Sequence, residues 1–209
     1  EVKSTSDANS DLSGDGVPDI AVNPSTINFP NLDAAAGLEA TEIVVVTNQG
    51  TADLHISDIY INDDASPFNV NVISSPLIPP GGEAQFTVTF SPDTAADNLG
   101  LVYIDSDDPD LPTAQVELNG VGVAPVIEIT PNTYDFGTLY IGCEQEQGLS
   151  IKNTGSADLI VSNFSFSTAS TDMNFDSVEA ENGPMPWTIS PMSSIEVFVD
   201  YSPMDEVGD

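Results

Sequence analysis

The chain has no arginine, two lysines (Lys3 and Lys152), one histidine, one cysteine and one tryptophan in 209 residues. Each scarcity excludes something. Without a stripe of Lys and Arg there is nothing to neutralise phosphates, so nucleic acid is excluded as a partner. Anionic membrane faces are repelled for the same reason. A lone cysteine, Cys143, leaves no internal disulfide. The single histidine, His55, has no metal-binding or catalytic partner near it in sequence. No stretch approaches the ~18 consecutive apolar residues of a membrane span. The N-terminus, Glu1-Val2-Lys3-Ser4-Thr5, lacks the basic and apolar regions of a signal peptide, so any such peptide is expected to be removed or to lie outside this sequence.

What the chain has in excess is acid: 34 Asp plus Glu give a formal net charge of -32. Such a surface attracts cations, divalent ions among them, or a basic partner. It reads as a solvated surface suited to salty or calcium-rich surroundings, where screening relieves self-repulsion. Apolar residues make up 40%, enough for packed cores, and come in short bursts between Gly, Pro, Asn and Asp. No window has a convincing amphipathic-helix period, and Asp33–Leu38, although Ala-rich, reads as a loop.

The chain also repeats itself. Ile20-Ala21-Val22-Asn23-Pro24-Ser25-Thr26-Ile27-Asn28-Phe29 is answered by Ile127-Glu128-Ile129-Thr130-Pro131-Asn132-Thr133-Tyr134-Asp135-Phe136. Val46-Thr47-Asn48-Gln49-Gly50-Thr51-Ala52-Asp53-Leu54 is answered by Ile151-Lys152-Asn153-Thr154-Gly155-Ser156-Ala157-Asp158-Leu159, and Phe86–Pro92 by Val197–Pro203. A period of roughly 105 residues is that of a whole β-sandwich, not of a solenoid unit. Alternation places Phe86, Val88 and Phe90 inward, with Val197, Val199 and Tyr201 as their counterparts and Phe198 and Asp200 outward. Val44, Val46, Leu149 and Ile151 are further core candidates. Residues 1–19 read as an acidic linker, 20–124 as a complete sandwich, and 125–209 as a second, incomplete sandwich lacking its last two strands. In the first repeat those strands carry Leu99, Leu101, Tyr103, Val116, Leu118 and Val121. Their absence predicts a fragment of a longer chain, completion by strands from another subunit, or a smaller variant of the sandwich.

The phrases Val22-Asn23-Pro24 to Phe29, Thr47–Leu54, Ile78-Pro79-Pro80-Gly81-Gly82 and Ser106–Pro112 resemble the Hydin-like (ASH-type) immunoglobulin-like domains, especially those of bacterial choice-of-anchor D surface proteins. The resemblance implies an all-β fold of tandem immunoglobulin-like, major-sperm-protein-like β-sandwiches, used as repeated modules in secreted or cell-surface proteins. It implies no catalytic residues. Met192-Ser193-Ser194 departs from the pattern, where the family turn has Gly-Gly.

One motif carries chemistry. Asp11, Ser13, Asp15, Val17 and Asp19 stand at alternate positions around Gly16, a pattern resembling the calcium loops of FG-GAP, dockerin and thrombospondin type 3 repeats. Calcium takes six to eight oxygens, which alternate residues of a tight loop supply; Val17 would give its carbonyl, and Asp7 and Asn9 would complete the shell. Position 12 is Val22, not the Glu of an EF-hand. The acidic run Asp105–Asp110 reads instead as a hairpin turn. Trp187 reads as a packing anchor, with a sugar platform as the alternative. Asn163-Phe164-Ser165 fits a glycosylation sequon.

The sequence therefore predicts a non-enzymatic, secreted or surface-exposed spacer, stalk or adhesion module with a Ca2+ loop, whose partners are neighbouring domains or subunits. The rivals are a filament or surface-layer subunit, a homo-oligomer completed by a neighbour, and a carbohydrate-binding accessory module.

Overall fold

The computed structural model describes residues 16–61, 67–71, 77–167, 171–176 and 182–204. Strands dominate, as the short apolar bursts require. The chain forms two compact units. One takes the chain up to Pro30 with Glu39–Ser91 and Asp97–Gly120; the other takes Asn31–Leu38, Pro92–Ala96 and the chain from Val121 onward.

In the first repeat the strands are β1 (Ile20–Asn23), β2 (Thr26–Asn28), β3 (Leu32–Asp33), β4 (Ala40–Asn48), β5 (Leu54–Ile61), β6 (Phe68–Asn71), β7 (Leu77–Ile78), β8 (Glu83–Phe90), β9 (Asp97–Ser106) and β10 (Thr113–Val123). One sheet has the order β1-β4-β8-β6 and the other β2-β10-β9-β5-β7, with β3 also pairing β10. Alternate residues of the facing strands fill the space between: Val44, Val46, Phe86, Val88 and Phe90 from one sheet, Leu54, Ile56, Val102, Ile104, Val116 and Leu118 from the other. At one end Phe29, Phe68 and Phe90 form a trio with ring centroids 5.0–5.7 Å apart. Offset aromatic packing at this spacing adds to what burial alone supplies.

The alternation of β9 corrects the sequence reading. Leu99 is 81% exposed and Tyr103 stacks outward on Tyr60, while Val102 and Ile104 are fully buried. Leu99, Leu101 and Tyr103 look like the core series because the other series contains Gly100. That glycine faces inward: a Cβ there would come within 2.9 Å of the Phe68 ring. On β10, Ala114, Val116 and Leu118 are buried, and Val121 takes the opposite, half-buried side. Asp33–Leu38 is also more ordered than a plain loop. Ala34–Ala36 forms a 3-10 turn capped by the Asp33 carboxylate, which accepts from Ala35 N, and closed by Gly37 at φ 61.

The second repeat follows the same plan with β11 (Ile127–Thr130), β12 (Gln145–Asn153), β13 (Leu159–Val161), β14 (Met173–Asp176), β15 (Trp187–Ile189) and β16 (Ser194–Tyr201). The order β11-β12-β16-β14 matches β1-β4-β8-β6, and β13-β15 matches β5-β7. Val197 and Val199 face inward and Phe198 outward, its ring lying over Gly148. Ile151, Val161, Trp187, Ile189 and Val197 are the buried cluster, flanked by half-buried Leu149, Phe164 and Phe175. Among the described residues nothing corresponds to β9 and β10. The consequence is local: β5 runs eight residues between two partners, whereas β13 runs three beside one. Positions buried in the first repeat are open here. Ile20 is 5% exposed and its counterpart Ile127 53%; Ile27 is 4% and Tyr134 46%.

Candidate functional site

The polar chemistry converges on the joint where the chain enters each repeat. Asn48, at the end of β4, is fully buried. Its Nδ2 donates to Ala52 O (2.7 Å) and Ile78 O (2.9 Å), and its Oδ1 accepts from Gly50 N (3.0 Å) and Asp19 N (3.4 Å). Asn153 does the same in the second repeat, donating to Ala157 O (2.7 Å) and Ile189 O (2.8 Å) and accepting from Gly155 N (3.0 Å) and Val126 N (3.2 Å). One amide thus ties together the entering strand, the turn after β4 or β12, and the strand of the opposite sheet. A buried Asn with both ends used in this way is a stable arrangement, since none of its polar atoms is stranded.

The backbone around each Asn repeats as well. Val17 O accepts from Thr51 N (2.9 Å), as Ala124 O does from Ser156 N (2.8 Å). Gly50 and Gly155 are glycines because the entering chain crosses so closely: a Cβ at either would collide with the Val17 or Ala124 carbonyl. Asn48 O accepts from Gly81 N (2.9 Å) and Asn153 O from Met192 N (2.8 Å). Gly81 has φ 71 and Met192 φ 62. The turn of the second repeat therefore keeps the left-handed geometry with a non-glycine residue, a conformation that costs about 1–2 kcal/mol.

The first repeat adds a carboxylate. Asp108, only 3% exposed, accepts from Ile20 N (2.8 Å) through Oδ2 and from Asp110 N (2.8 Å) and Leu111 N (3.1 Å) through Oδ1. The acidic run is thus a turn organised by one of its own members, which also pins β1. The Ile20 amide above all, with those of Asp110 and Leu111, holds the Asp108 carboxyl below the usual range against the opposing effect of burial. A depressed folded-state value means stability present above pH ~4 and lost as pH falls through the folded value. Asp108→Asn is expected to be less stable than the parent at pH 7, with the gap closing below pH ~4; acid unfolding of both proteins measures it.

On the outward side of β5 and β9, Tyr60 and Tyr103 stack at 5.4 Å, two residues along the strands from the facing pair Asp58 and Asp105. Partial burial, with the nearby carboxylates of Asp105 and Asp58, raises the Tyr60 hydroxyl above its ordinary value.

Asp7, Asn9, Asp11, Ser13 and Asp15 lie outside the described residues. Val17 is described: its carbonyl, the expected backbone ligand, already accepts from Thr51 N and Ala52 N, and the Asp19 carbonyl accepts from Gln49 N (2.7 Å). Among the described residues no three His, Cys, Asp or Glu side chains come together as a metal-binding group. His55 is exposed on β5, and the Cys143 thiol is exposed. Trp187 is 4% exposed, its Nε1 donating to Gly183 O (2.9 Å), so its ring is a packing anchor and no sugar platform. Sequence reasoning missed Asn48 and Asn153 as the polar centres. The signal was there: Asn, then Gly two residues on and Ala four residues on, at corresponding places in both repeats.

No curated protein matches the sequence. Among solved structures, an ASH / PapD-like domain of human CEP192 (PapD-like domain 7) is similar at 20% identity and TM-score 0.40, covering 50% of this chain and 85% of that one. A protein from Porphyromonas gingivalis W83 is similar at 13% and 0.36, covering 88% and 83%. The secreted serine protease VesC from Vibrio cholerae is similar at 10% and 0.38, with 88% of this chain covering 46% of that one. No helix among the described residues is long and apolar enough to cross a membrane. The family model for the HYDIN/CFA65/VesB-like Ig-like domain matches residues 18–120, just under half of the chain, so the first repeat is similar to the Ig-like domains of that family.

Proposed function

We propose that the chain is a non-enzymatic spacer or adhesion module of a secreted or cell-surface protein, built to carry load between neighbouring domains. One observation carries this reading. In the first repeat β2, near the entry, and β10, at the exit, are paired in parallel, with Glu117, Leu118 and Asn119 opposite Thr26, Ile27 and Asn28. Side chains reinforce the pair: Asn119 Nδ2 donates to Asn28 Oδ1 (3.0 Å) and Thr26 Oγ1 to Glu117 Oε2 (3.3 Å). Pulling the two ends of such a repeat apart shears all these bonds at once; an antiparallel terminal pair would open one bond at a time. Single-molecule stretching is expected to show the first repeat resisting as one event, with a length gain of roughly 300 Å from about 100 residues at ~3.3–3.6 Å each. Extension without a force peak would contradict the reading.

The calcium loop belongs to this proposal. Asp11, Ser13, Asp15 and Asp19 would hold a calcium ion that neutralises crowded carboxylates and stiffens the approach to β1, with the Val17 carbonyl shared with its two amides. Calorimetric titration with calcium is expected to give binding that Asp15→Ala abolishes; no heat from the parent protein would leave the segment a plain linker.

A second reading has its own observation. Ile127, Tyr134, Tyr140 and Ile141 are exposed in the second repeat, and among the described residues β13 has one partner where β5 has two. A strand donated by another subunit of a surface assembly would add to β13 and cover these residues. Light scattering in calcium would then show a polymer.

A further inference from the structure

In a chain this acidic, one sheet face is nearly free of charge. On the outer side of β1-β4-β8-β6, register sets Thr41, Thr89 and Asn69 in one row and Ile43, Thr87 and Asn71 in the next. Val45, Gln85 and Asn23 form a third row. Their inward neighbours Val44, Phe86 and Val88 are buried, so the outward assignment is fixed. Ile43, near the middle, is 54% exposed, and the Thr41 and Thr89 hydroxyls are 3.0 Å apart. Among the register-paired residues of this sheet the one outward carboxylate is Glu83, in a rim row with Thr47 and Ala21. Glu42, opposite the buried Val88, has the inward register but is exposed near the start of β4, and exposed Asp19 and Glu39 flank β1 and β4.

The second repeat supplies the control. Its β11-β12-β16-β14 sheet has the same order and register. Glu146 and Asp200 stand where the first repeat has Thr41 and Thr89. Glu196 replaces Gln85 and Glu128 replaces Ala21. The same positions of one architecture therefore carry four carboxylates in one repeat and one in the other, and the sandwich does not require the neutral version. Depletion of Asp, Glu and Lys is the compositional mark of an interface core.

The chemistry of the face selects its partner. A basic partner would gain nothing from a surface stripped of acid. A sugar platform needs exposed aromatic rings, and the three rows hold none. Removing carboxylates serves a partner that is itself acidic, because it removes acid-on-acid repulsion. We propose that this face of the first repeat is a self-association surface, which a second copy of the chain covers with the same face. Such pairing depends neither on a mechanical role for the repeat nor on strand donation.

Strands of four, nine, eight and four residues, ~4.8 Å apart at ~3.4 Å per residue, present roughly 400 Å² per copy. The resulting total of about 800 Å² lies below the ~1,200 Å² of a stable standard interface, so the dimer is weak and concentration-dependent. Salt strengthens it, because screening suppresses the repulsion of two copies of net charge -32.

Sedimentation equilibrium of the whole chain tests this from low micromolar to about 500 μM protein, in ~0.1 and ~1 M NaCl. Expected is a monomer–dimer equilibrium that tightens with salt. The pair Gln85→Glu and Thr89→Asp, which introduces the acids found in the second repeat, should weaken it at least ~10-fold while circular dichroism stays unchanged. Glu196→Gln, on the second repeat, should leave it as it is. A monomer throughout, an association weakened by salt, or an assembly indifferent to the paired substitution would each overturn the proposal.

Discussion

Asn48→Ala is expected to destabilise the first repeat by about 2–4 kcal/mol, close to half the stability of many domains. The substitution leaves Ala52 O, Ile78 O and Gly50 N without the partner that the amide supplies. Each stranded buried group costs about 1–3 kcal/mol, reduced where water can reach the joint from the entering strand. For a domain of this size the unfolding midpoint should fall by roughly 10–25 °C. Asn48→Asp should be at least as harmful, because it sets a carboxylate against two carbonyls and adds a buried charge. The single tryptophan provides an internal control. Trp187 lies in the buried cluster of the second repeat, so urea unfolding followed by its fluorescence should be unchanged in Asn48→Ala, while circular dichroism shows an earlier loss of strand signal.

Gly120→Ala is expected to cost about 2–4 kcal/mol, more than most core substitutions that add a single methyl group. Gly120 lies on β10 under the fully buried Phe90 ring, and a Cβ there would come within 2.6–2.8 Å of three ring atoms. Phe90 also packs on Phe29 and Phe68, so its ring has no free direction in which to retreat. Phe90→Leu alone should destabilise by creating space. Combined with Gly120→Ala it should cost less than the sum of the two, since each change relieves the strain or the void left by the other. Chemical denaturation of the two single variants and the double variant measures that coupling. Strict additivity would mean the methyl group is accommodated elsewhere.

These two residues show what the sequence made legible and what it hid. The repeat, the all-β class and the inward series on β8 and β16 all follow from apolar alternation and self-similarity. Alternation failed on β9, where six consecutive positions from Leu99 to Ile104 are apolar or glycine. Period two cannot choose between the interleaved series when the true inward series includes Gly100, whose missing side chain is replaced by the Phe68 ring from another strand. Only tertiary packing supplies that information. The asparagine joints were hidden for a different reason. Asn-x-Gly is an ordinary turn signal, and nothing in one copy says that the side chain turns inward to bind two carbonyls. Its recurrence at the same place in both repeats was the available clue. Asp108 was correctly placed in a turn, but its hydrogen bond to Ile20 spans 88 residues, beyond any local pattern.

The neutral sheet face was equally invisible to composition. Spread over the whole sequence, 34 acidic residues suggest a uniformly acidic surface. Strand register sorts them, and the sorting differs between two sheets of the same order.

The account stands on two sandwiches that each fold around an asparagine joint of their own. Hydrogen exchange of the Asn153→Ala chain, measured alongside Trp187 fluorescence in rising urea, tests this most directly. The Trp187 transition should move to lower urea while amides of β4, β8 and β10 keep the protection they have in the parent protein. Loss of protection in β4, β8 and β10 together with the Trp187 transition would mean that the repeats unfold as one body, and would contradict the account.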